Sequence, residues 1–434
     1  MFVGITNTPR SYAWGSTTAI AEILGVTPSG GPEAELWLGA HPGSPSRVLD
    51  AAQTGGAADL GRWIAAAPGI ALGTGHDGPR LPFLLKVLAA EQPLSLQAHP
   101  SAEQARAGYL REDESGLPLD APNRNYRDPY PKPEMIYALS DRFDALCGFR
   151  PVDQALDVLQ GFVDLDMRGD TPQATLLYDF MDRLDSLQDA FRWLLGGGAE
   201  ASALVARVSR IAHLAGYAGR DAFPEFVGAM PLPGSFGIDR ELATVRLLAQ
   251  EYPGDPGIVV SLLLNQVSLA RGEALYLPAG NIHAYLHGVG IELMGASDNV
   301  LRGGLTPKHV DVPELLAVLD FTDAAVPLVE PSVPSAGVSV YRPGAGVEAP
   351  DFTLVHVLPA EQDGSSAVDQ LGSLPVGSFA LPGPAIALCT AGTVTVAGVA
   401  SSVALERGQA VYITPDEANL TFTGTGELFL ATTR

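Results

Sequence analysis

Apolar residues along the chain follow two different periods, which divide it into three parts. Residues 1–150 contain short apolar runs separated by Gly, Pro and Asn, a pattern typical of β-strands and loops. From Val152 to about Gln250 the apolar residues instead recur every three or four positions, as in amphipathic helices. From Gly257 the strand pattern returns, and we expect the first of these strands at residues 258–260. A helical segment between two β-rich parts predicts an insertion into a β domain.

A short internal repeat indicates a second β domain near the C-terminus. Residues 269–277 align without gaps with residues 405–413, and both segments are typical of a turn followed by a strand. In the same register His283 is equivalent to Asn419. We therefore predict a mainly β protein with two β domains and an α-helical domain. The predicted bounds are 1–150 plus 257–330 for the first β domain, 151–256 for the inserted helical domain, and 331–434 for the second β domain.

The first candidate metal ligands lie on a predicted strand. In residues 94–99 polar and apolar side chains alternate, so Ser95, Gln97 and His99 project from one face of this strand. An amide oxygen and an imidazole two residues apart can bind one metal ion. The same alternation is also typical of a half-exposed strand whose polar face meets water.

Two further segments supply a carboxylate and a second imidazole. Lys132 and Glu134 have the same two-residue spacing between prolines, although a rigid surface loop would have it too. His283 and Tyr285 share one face of a strand after a Pro-Gly-Asn turn, where a lone histidine is more often structural or exposed. Two imidazoles, one carboxylate and one amide oxygen would suit Zn, and equally Mn, Fe or Co. The interior of a β-barrel could collect ligands from such distant segments.

Residues 291–308 combine loop-forming residues with cations. Gly303 and Gly304 would allow the backbone to come close to a ligand. Arg302 and Lys308 flank these glycines with a planar guanidinium and a point charge, both suited to a phosphate group. This segment is therefore a candidate phosphate site.

The composition of the chain excludes several classes of binding partner. The formal net charge of −23 argues against binding to nucleic acid or to an anionic membrane. No apolar run is long enough to span a bilayer, two cysteines cannot form a disulfide framework, and the N-terminus lacks a secretory pattern. We expect a cytoplasmic protein. Only three of the 26 basic residues are lysines, Lys86, Lys132 and Lys308, which makes them candidates for positions that require an ammonium group.

Taken together, these segments resemble the type I mannose-6-phosphate isomerases, zinc enzymes of the cupin superfamily. The similarity covers residues 12–15, 34–39, 82–86, 97–100, 132–135 and 272–308. The resemblance implies cupin-type jelly-roll β-barrels, with one Zn²⁺ per chain in the first and no metal site in the second. A small sugar phosphate is the implied partner, and we expect a monomer.

The resemblance also implies the roles of individual residues. The implied zinc ligands are Gln97, His99, Glu134 and His283. The implied substrate-binding residues are Trp14, Lys86, Ser95, Tyr285 and Lys308, and the implied catalytic residues are Arg302, Glu292, Asp298 and Lys132. The reaction of the family interconverts mannose 6-phosphate and fructose 6-phosphate, and it moves a proton between C1 and C2 through an enediol. It needs a base, oxyanion stabilisation and a phosphate anchor.

One departure from the family pattern affects proton transfer. The family often has Asn-His before Lys-Pro-Glu, whereas Tyr130 and Pro131 precede Lys132 here. Position 131 cannot supply an acid or a base, so we rank Glu292 and Asp298 ahead of Lys132 for this role. Two alternatives stay open: another metal-dependent cupin enzyme, such as an oxygenase or an epimerase, and a non-catalytic carbohydrate-binding cupin with a structural metal.

Overall fold

The protein is mainly β, with antiparallel strands in two large sheets and a group of helices inserted in the chain between strands of the first sheet. The computed structural model describes residues 1–74, 78–216, 237–344, 349–359 and 377–434. Residues 231–234, whose sequence Pro-Leu-Pro-Gly predicts a break between helices, lie outside these ranges. Within them, no helix has both the length and the apolar character that a membrane-crossing segment would need.

The first 149 residues mix strands with helices. The strands are β1 (Phe2–Thr6), β2 (Glu35–Leu38), β3 (Arg47–Val48), β4 (Phe83–Ala90), β5 (Leu96–Ala98), β6 (Glu134–Ala138) and β7 (Arg142–Phe149). The helices are α1 (Ala19–Leu24), α2 (Leu60–Ala66), α3 (Pro68–Ala71) and α4 (Ala102–Glu114). The apolar pattern did not predict α4, because it buries few large apolar side chains. A capping box between Ser101 and Gln104 marks its start and was the available signal.

The predicted helical segment is helical. Its helices are α5 (Val152–Asp166), α6 (Ala174–Arg183), α7 (Leu187–Gly196), α8 (Ala199–Gly216), α9 (Asp239–Glu251) and α10 (Gly257–Val260). The strand expected at residues 258–260 was wrong, because these residues form α10 and the next strand begins at Leu264. Ile258, Val259 and Val260 are fully buried among the other helices. A continuous apolar run that is buried on all sides carries no period, so it cannot distinguish a strand from a helix.

The remaining elements complete both sheets. After the helices come β8 (Leu264–Ala270), β9 (Ala274–Leu277), β10 (His283–Gly295), β11 (Leu301–Gly304) and α11 (Val312–Val318). They are followed by β12 (Ser332–Ser335), β13 (Val338–Tyr341), β14 (Thr353–Val357), β15 (Ser378–Ala380), β16 (Ala385–Ala397), β17 (Ser402–Glu406), β18 (Ala410–Ile413) and β19 (Asn419–Thr432).

Long central strands organise the two sheets. The first sheet has the order β11-β5-β10-β4-β2, and β10 also pairs with β6 and β7. The second has the order β12-β13-β14-β19-β16-β18-β1-β3. The N-terminal strand β1 therefore lies in the second sheet, where Val3 is opposite Tyr412. The division into three domains stays a prediction. It assigns β1 to the first β domain, and it does not include the pairing of β1 with β18 in the second sheet.

The internal repeat corresponds to equivalent strands in the two sheets. In the ungapped alignment Ala274 matches Ala410 and His283 matches Asn419. These four residues are the first residues of β9, β18, β10 and β19. Both repeats therefore have a short strand followed by a long strand at the same spacing, with a histidine at the start of one long strand and an asparagine at the start of the other.

Strand β10 brings separate parts of the chain to one place. His283, at its start, is opposite Gln97 of β5, and Glu292, further along, is opposite Lys86 of β4. Directly opposed residues of antiparallel strands project from the same face. The register of β10 therefore places side chains from distant segments next to one another.

The first sheet borders a cavity, and an irregularity in β10 allows both ends of this strand to face it. Tyr285 and Glu292 both line this cavity although they are seven residues apart, which strict alternation would place on opposite faces. The register of pairing with β7 shifts between Tyr285 and His287. Gly288 follows with φ of 129°, a conformation that favours glycine. This β-bulge reverses the alternation between the two ends of the strand.

Candidate active site

Three buried side chains, from the residue after β5 and from the strands β6 and β10, meet at one point beside the first sheet. The Nε2 atom of His99 lies 3.3 Å from Oε1 of Glu134, and Nε2 of His283 lies 3.2 Å from Oε2 of the same carboxylate. One ligand atom from each of the three lies within 4.8 Å of the other two. Among the residues that the structure describes, this is the one such group of His, Cys, Asp or Glu side chains.

Backbone carbonyl groups orient both imidazoles toward this point. Nδ1 of His99 donates a hydrogen bond to the backbone oxygen of Asn299 at 2.7 Å, and Nδ1 of His283 donates to that of Asn281 at 3.0 Å. In the neutral form each ring then has its lone pair on Nε2. These two Nε2 atoms and Oε2 of Glu134 are buried without a hydrogen-bond partner. Three unpartnered electron-pair donors this close together fit a bound cation.

Electrostatics keep His99 and Glu134 in the form that binds a metal. Burial and the nearby ammonium group of Lys132 lower the pKa of His99 to about 4, so its imidazole is neutral at neutral pH. Burial by itself would raise the pKa of Glu134, but the charge of Lys132 and the proximity of His99 and His283 hold it well below its usual range. Nζ of Lys132 lies 2.9 Å from Oε1 of Glu134.

Gln97 lies beside this group. On β5 it is opposite His283 on one side and opposite Arg302 of β11 on the other. Its side chain is half-buried and lines the same cavity as Glu134. An amide oxygen at this position could complete a four-donor set.

A second buried pair, Lys86 and Glu292, lies in the same cavity. Nζ of Lys86 is 2.9 Å from Oε2 of Glu292 and 3.5 Å from Oε1 of Glu35. Burial by itself would lower the pKa of Lys86, but these two carboxylates raise it above its usual range, so the ammonium stays charged. Burial raises the pKa of Glu292. The ammonium group of Lys86 lowers this pKa, but repulsion from Glu134 and Glu35 acts in the same direction as burial, and the pKa stays raised.

The cavity that holds these groups has a volume of about 330 Å³, a size typical of a small-molecule site. Its wall includes the side chains of all three lysines of the sequence. Burial lowers the pKa values of Arg302 and Lys308 at one end, and Arg127 adds to both shifts through its positive charge. Among the described residues, none of these three cations forms an ion pair with a carboxylate. An uncompensated cluster of this kind can bind an anion.

The chain is similar to known proteins over almost its whole length. Residues 2–152 match the family model described as the catalytic domain of type I phosphomannose isomerase. The mannose-6-phosphate isomerase of Escherichia coli K12 is 34% identical over 98% of this chain and 97% of its own length. The human mannose-6-phosphate isomerase is 32% identical over 94% of this chain and 92% of its own length.

The chain belongs to the type I phosphomannose isomerase family.

Solved structures of the family agree with this assignment. The mannose 6-phosphate isomerase of Salmonella typhimurium, bound to its substrate fructose 6-phosphate and to zinc, matches with a TM-score of 0.79 and 31% identity. The match covers 100% of this chain and 99% of that one. Another mannose 6-phosphate isomerase structure contains zinc and yttrium. A metal cofactor is thus a property of family members that share the whole fold of this chain.

The structure brings all of the sequence-predicted site residues into one region. His99 and His283 do not line the cavity themselves, but both contact Glu134, which does. The other predicted residues line its wall: Trp14, Lys86, Ser95, Gln97, Lys132, Glu134, Tyr285, Glu292, Asp298, Arg302 and Lys308. Their individual roles stay predictions, because proximity does not by itself assign a role.

Sequence reasoning did not single out several residues of this region. Glu35 and Trp37 line the cavity from β2, and His41 lines it just after that strand. The alternation of residues 35 and 37 on a strand was a signal for the first two. Tyr252, from the end of α9, also lines the cavity and donates a hydrogen bond to the backbone oxygen of Pro93. No local pattern could have predicted that the helical segment reaches the site.

Proposed function

We propose that this chain is a zinc-dependent aldose-ketose isomerase that interconverts mannose 6-phosphate and fructose 6-phosphate through an enediol. The observation that carries the proposal is one cavity with a metal-binding group at its base and uncompensated cations at one end. Such an arrangement suits a ligand with vicinal oxygen atoms at one end and a phosphate at the other. The family membership supports the same substrate pair.

The residues present fit a single zinc ion. His99, Glu134 and His283 would hold it, and Gln97 would complete the set. Zinc bound there would act as a Lewis acid on substrate oxygen atoms. A donor set without thiolate that opens onto a cavity favours a catalytic ion over a closed structural one.

The phosphate of the substrate would lie at the cationic end of the cavity. Arg302 offers a planar guanidinium, and Lys308 and Arg127 add charge beside it. Arg302 lies on β11 directly opposite Gln97, next to the candidate metal ligands. From this position it can bind the phosphate or stabilise negative charge on the enediolate.

Proton transfer between C1 and C2 would fall to carboxylates of the cavity. We rank Glu292 first, because burial raises its pKa and brings it toward the working range of a general base. Asp298 and then Lys132 follow. Lys86 would hold the Glu292 carboxylate in place through their 2.9 Å contact.

The same proposal includes the type of β fold. We propose that both sheets are cupin-type jelly rolls and that the second lacks a metal site. The equivalence of β9 and β10 with β18 and β19 supports this view. A monomeric state and a cytoplasmic location stay predictions.

The proposal is tested by metal-dependent isomerisation. Purified protein should convert mannose 6-phosphate to fructose 6-phosphate, lose this activity after dialysis against a chelator, and regain it with Zn²⁺. Glu134→Gln should bind less zinc and lose at least about 100-fold in kcat/KM, because a buried anionic ligand is removed. Glu103→Gln on the exposed face of α4 is the matched control and should behave as wild type.

The same assay separates the alternatives. An oxygenase would consume O₂, an epimerase would form another aldose phosphate without a ketose, and a binding protein would give no product. Isomerisation that persists at full rate after complete removal of metal would overturn the proposal.

A further inference from the structure

His41 lies at the wall of the cavity in a tightly determined orientation. Its side chain is buried and packs edge-on against the ring of Trp37, with 5.0 Å between ring centres. The backbone N–H of Gly43 donates a hydrogen bond to Nδ1 at 3.1 Å. Since Nδ1 accepts, the neutral ring must carry its proton on Nε2.

The Nε2 atom of His41 lies close to the carboxylate of Asp298. Nε2 lies 3.6 Å from Oδ1 of Asp298, which is longer than a direct hydrogen bond. Both side chains line the cavity. The backbone N–H of Asp298 donates to Oδ2 of Asp128 at 2.9 Å, so the loop that carries Asp298 is held in place. A donor and an acceptor therefore lie close together in the wall of one cavity.

The charges around the ring come from several elements. Asp298 and Asp128 favour a charged imidazole, whereas Lys86 of β4 and Lys132 before β6 oppose it. Burial is the largest influence and lowers the pKa of His41 below its ordinary value. The ring is therefore suited to donate a hydrogen bond as a neutral group rather than to act as a cation.

We propose that His41 and Asp298 together bind one hydroxyl group of the sugar phosphate, with His41 donating from Nε2 and Asp298 accepting. A hydroxyl is both a donor and an acceptor, so it matches this pair, whereas an aldehyde oxygen or a phosphate oxygen could use only the imidazole. His41 is then a substrate-binding residue that orients the sugar relative to Asp298. This inference rests on the proposed function, because it takes a sugar phosphate as the ligand.

The test compares two replacements of the same side chain. His41→Gln retains an amide N–H near the position of Nε2, whereas His41→Asn retains one only near Nδ1. We expect His41→Asn to lower kcat/KM for fructose 6-phosphate by about 10- to 100-fold, the effect of losing a hydrogen bond to a partly charged site. His41→Gln should stay within about 5-fold of wild type. His287→Asn, at an exposed position of β10, is the control and should have wild-type kinetics.

A double-mutant cycle shows whether the two residues act on one group. If they share a hydroxyl, Asp298→Asn should cost much less in the His41→Asn background than in wild type. If His41→Gln and His41→Asn lose kcat/KM equally and show the same decrease in melting temperature, His41 only packs against its neighbours and does not bind the substrate. Additive effects would overturn the shared contact. Inactive wild-type protein would instead refute the proposed function.

Discussion

The backbone oxygen of Asn299 accepts a hydrogen bond from Nδ1 of His99 at a distance of 2.7 Å. The side chain of Asn299 is fully buried, and its amide group donates to the backbone oxygens of Asp128 and Tyr130. Its amide oxygen accepts from the backbone N–H of Arg127 at 2.7 Å. One asparagine therefore connects a candidate metal ligand with the segment that leads to Lys132 and Glu134.

This connection predicts that Asn299 controls metal affinity without touching the metal. Asn299→Ala should weaken zinc binding by about 10-fold or more, as the loss of outer-shell partners commonly does. Zinc affinity is measured by competition with a chromogenic chelator. Asn125→Ala, which removes a side-chain contact with Asp311 away from the ligands, is the control. Unchanged zinc affinity in Asn299→Ala would show that the side-chain network does not orient His99.

The Lys86–Glu292 pair predicts a pH dependence with a definite sign. If Glu292 acts as the base, kcat/KM falls as the pH drops through the pKa of this carboxyl group. The ammonium of Lys86 lowers that pKa, so Lys86→Met should move the acid limb of the profile to higher pH. Glu292→Gln should lower kcat by about 100-fold or more with zinc still bound. A profile that does not move in Lys86→Met would assign the acid limb to another group.

The cationic end of the cavity predicts graded effects on substrate affinity. Arg302→Met should lower kcat/KM by about 100-fold, because its half-buried guanidinium faces the cavity. Arg127→Met should raise KM less than about 5-fold, since Arg127 is exposed and acts through a screened charge. Steady-state kinetics at low and high salt distinguish the two. High salt should remove the kinetic change caused by Arg127→Met and leave most of the change caused by Arg302→Met. If high salt instead removed the change caused by Arg302→Met, Arg302 would not bind the phosphate directly.

A polar network between the two sheets predicts a pH-dependent stability. Both terminal oxygens of Glu427 on β19 contact the guanidinium of Arg271, which precedes β9, at 2.9 and 3.0 Å. His356 and Thr390 also bind this carboxylate. Burial by itself would raise the pKa of Glu427, but these partners lower it from 4.5 to about 2.

A carboxyl group with a depressed pKa stabilises the folded state above its ordinary pKa and loses this effect as the pH falls toward its folded value. Glu427→Gln should therefore lower the free energy of unfolding by about 2 kcal/mol at pH 7, with a smaller difference between pH 4 and pH 2. Urea unfolding over this pH range measures the effect. Glu406→Gln, at an exposed position of β17, is the control. A difference that is independent of pH would show that the charge of Glu427 is not what stabilises the network.

The sequence by itself determined the broad organisation and the chemistry of the site. The change from period two to period 3.6 marked the helical segment, and Gln97 and His99 follow from strand alternation. The repeat predicted that the strands starting at His283 and Asn419 are equivalent, because a short strand, a turn and a long strand are local patterns. Glu134 and the catalytic residues depended on resemblance to a family, since one carboxylate between prolines has no distinctive pattern.

Only the tertiary structure decided how these residues come together. The bulge between Tyr285 and His287 reverses the alternation of β10 and turns Glu292 toward the same cavity as Tyr285, which a period of two could not predict. Residues 258–260 are helical, and the sequence could not predict this because an apolar run that is buried on all sides has no amphipathic period. The proposed role of His41 depends on its proximity to Asp298, a residue far away in the chain. Local patterns encode which face a side chain occupies, whereas strand register and packing over long separations determine which faces meet.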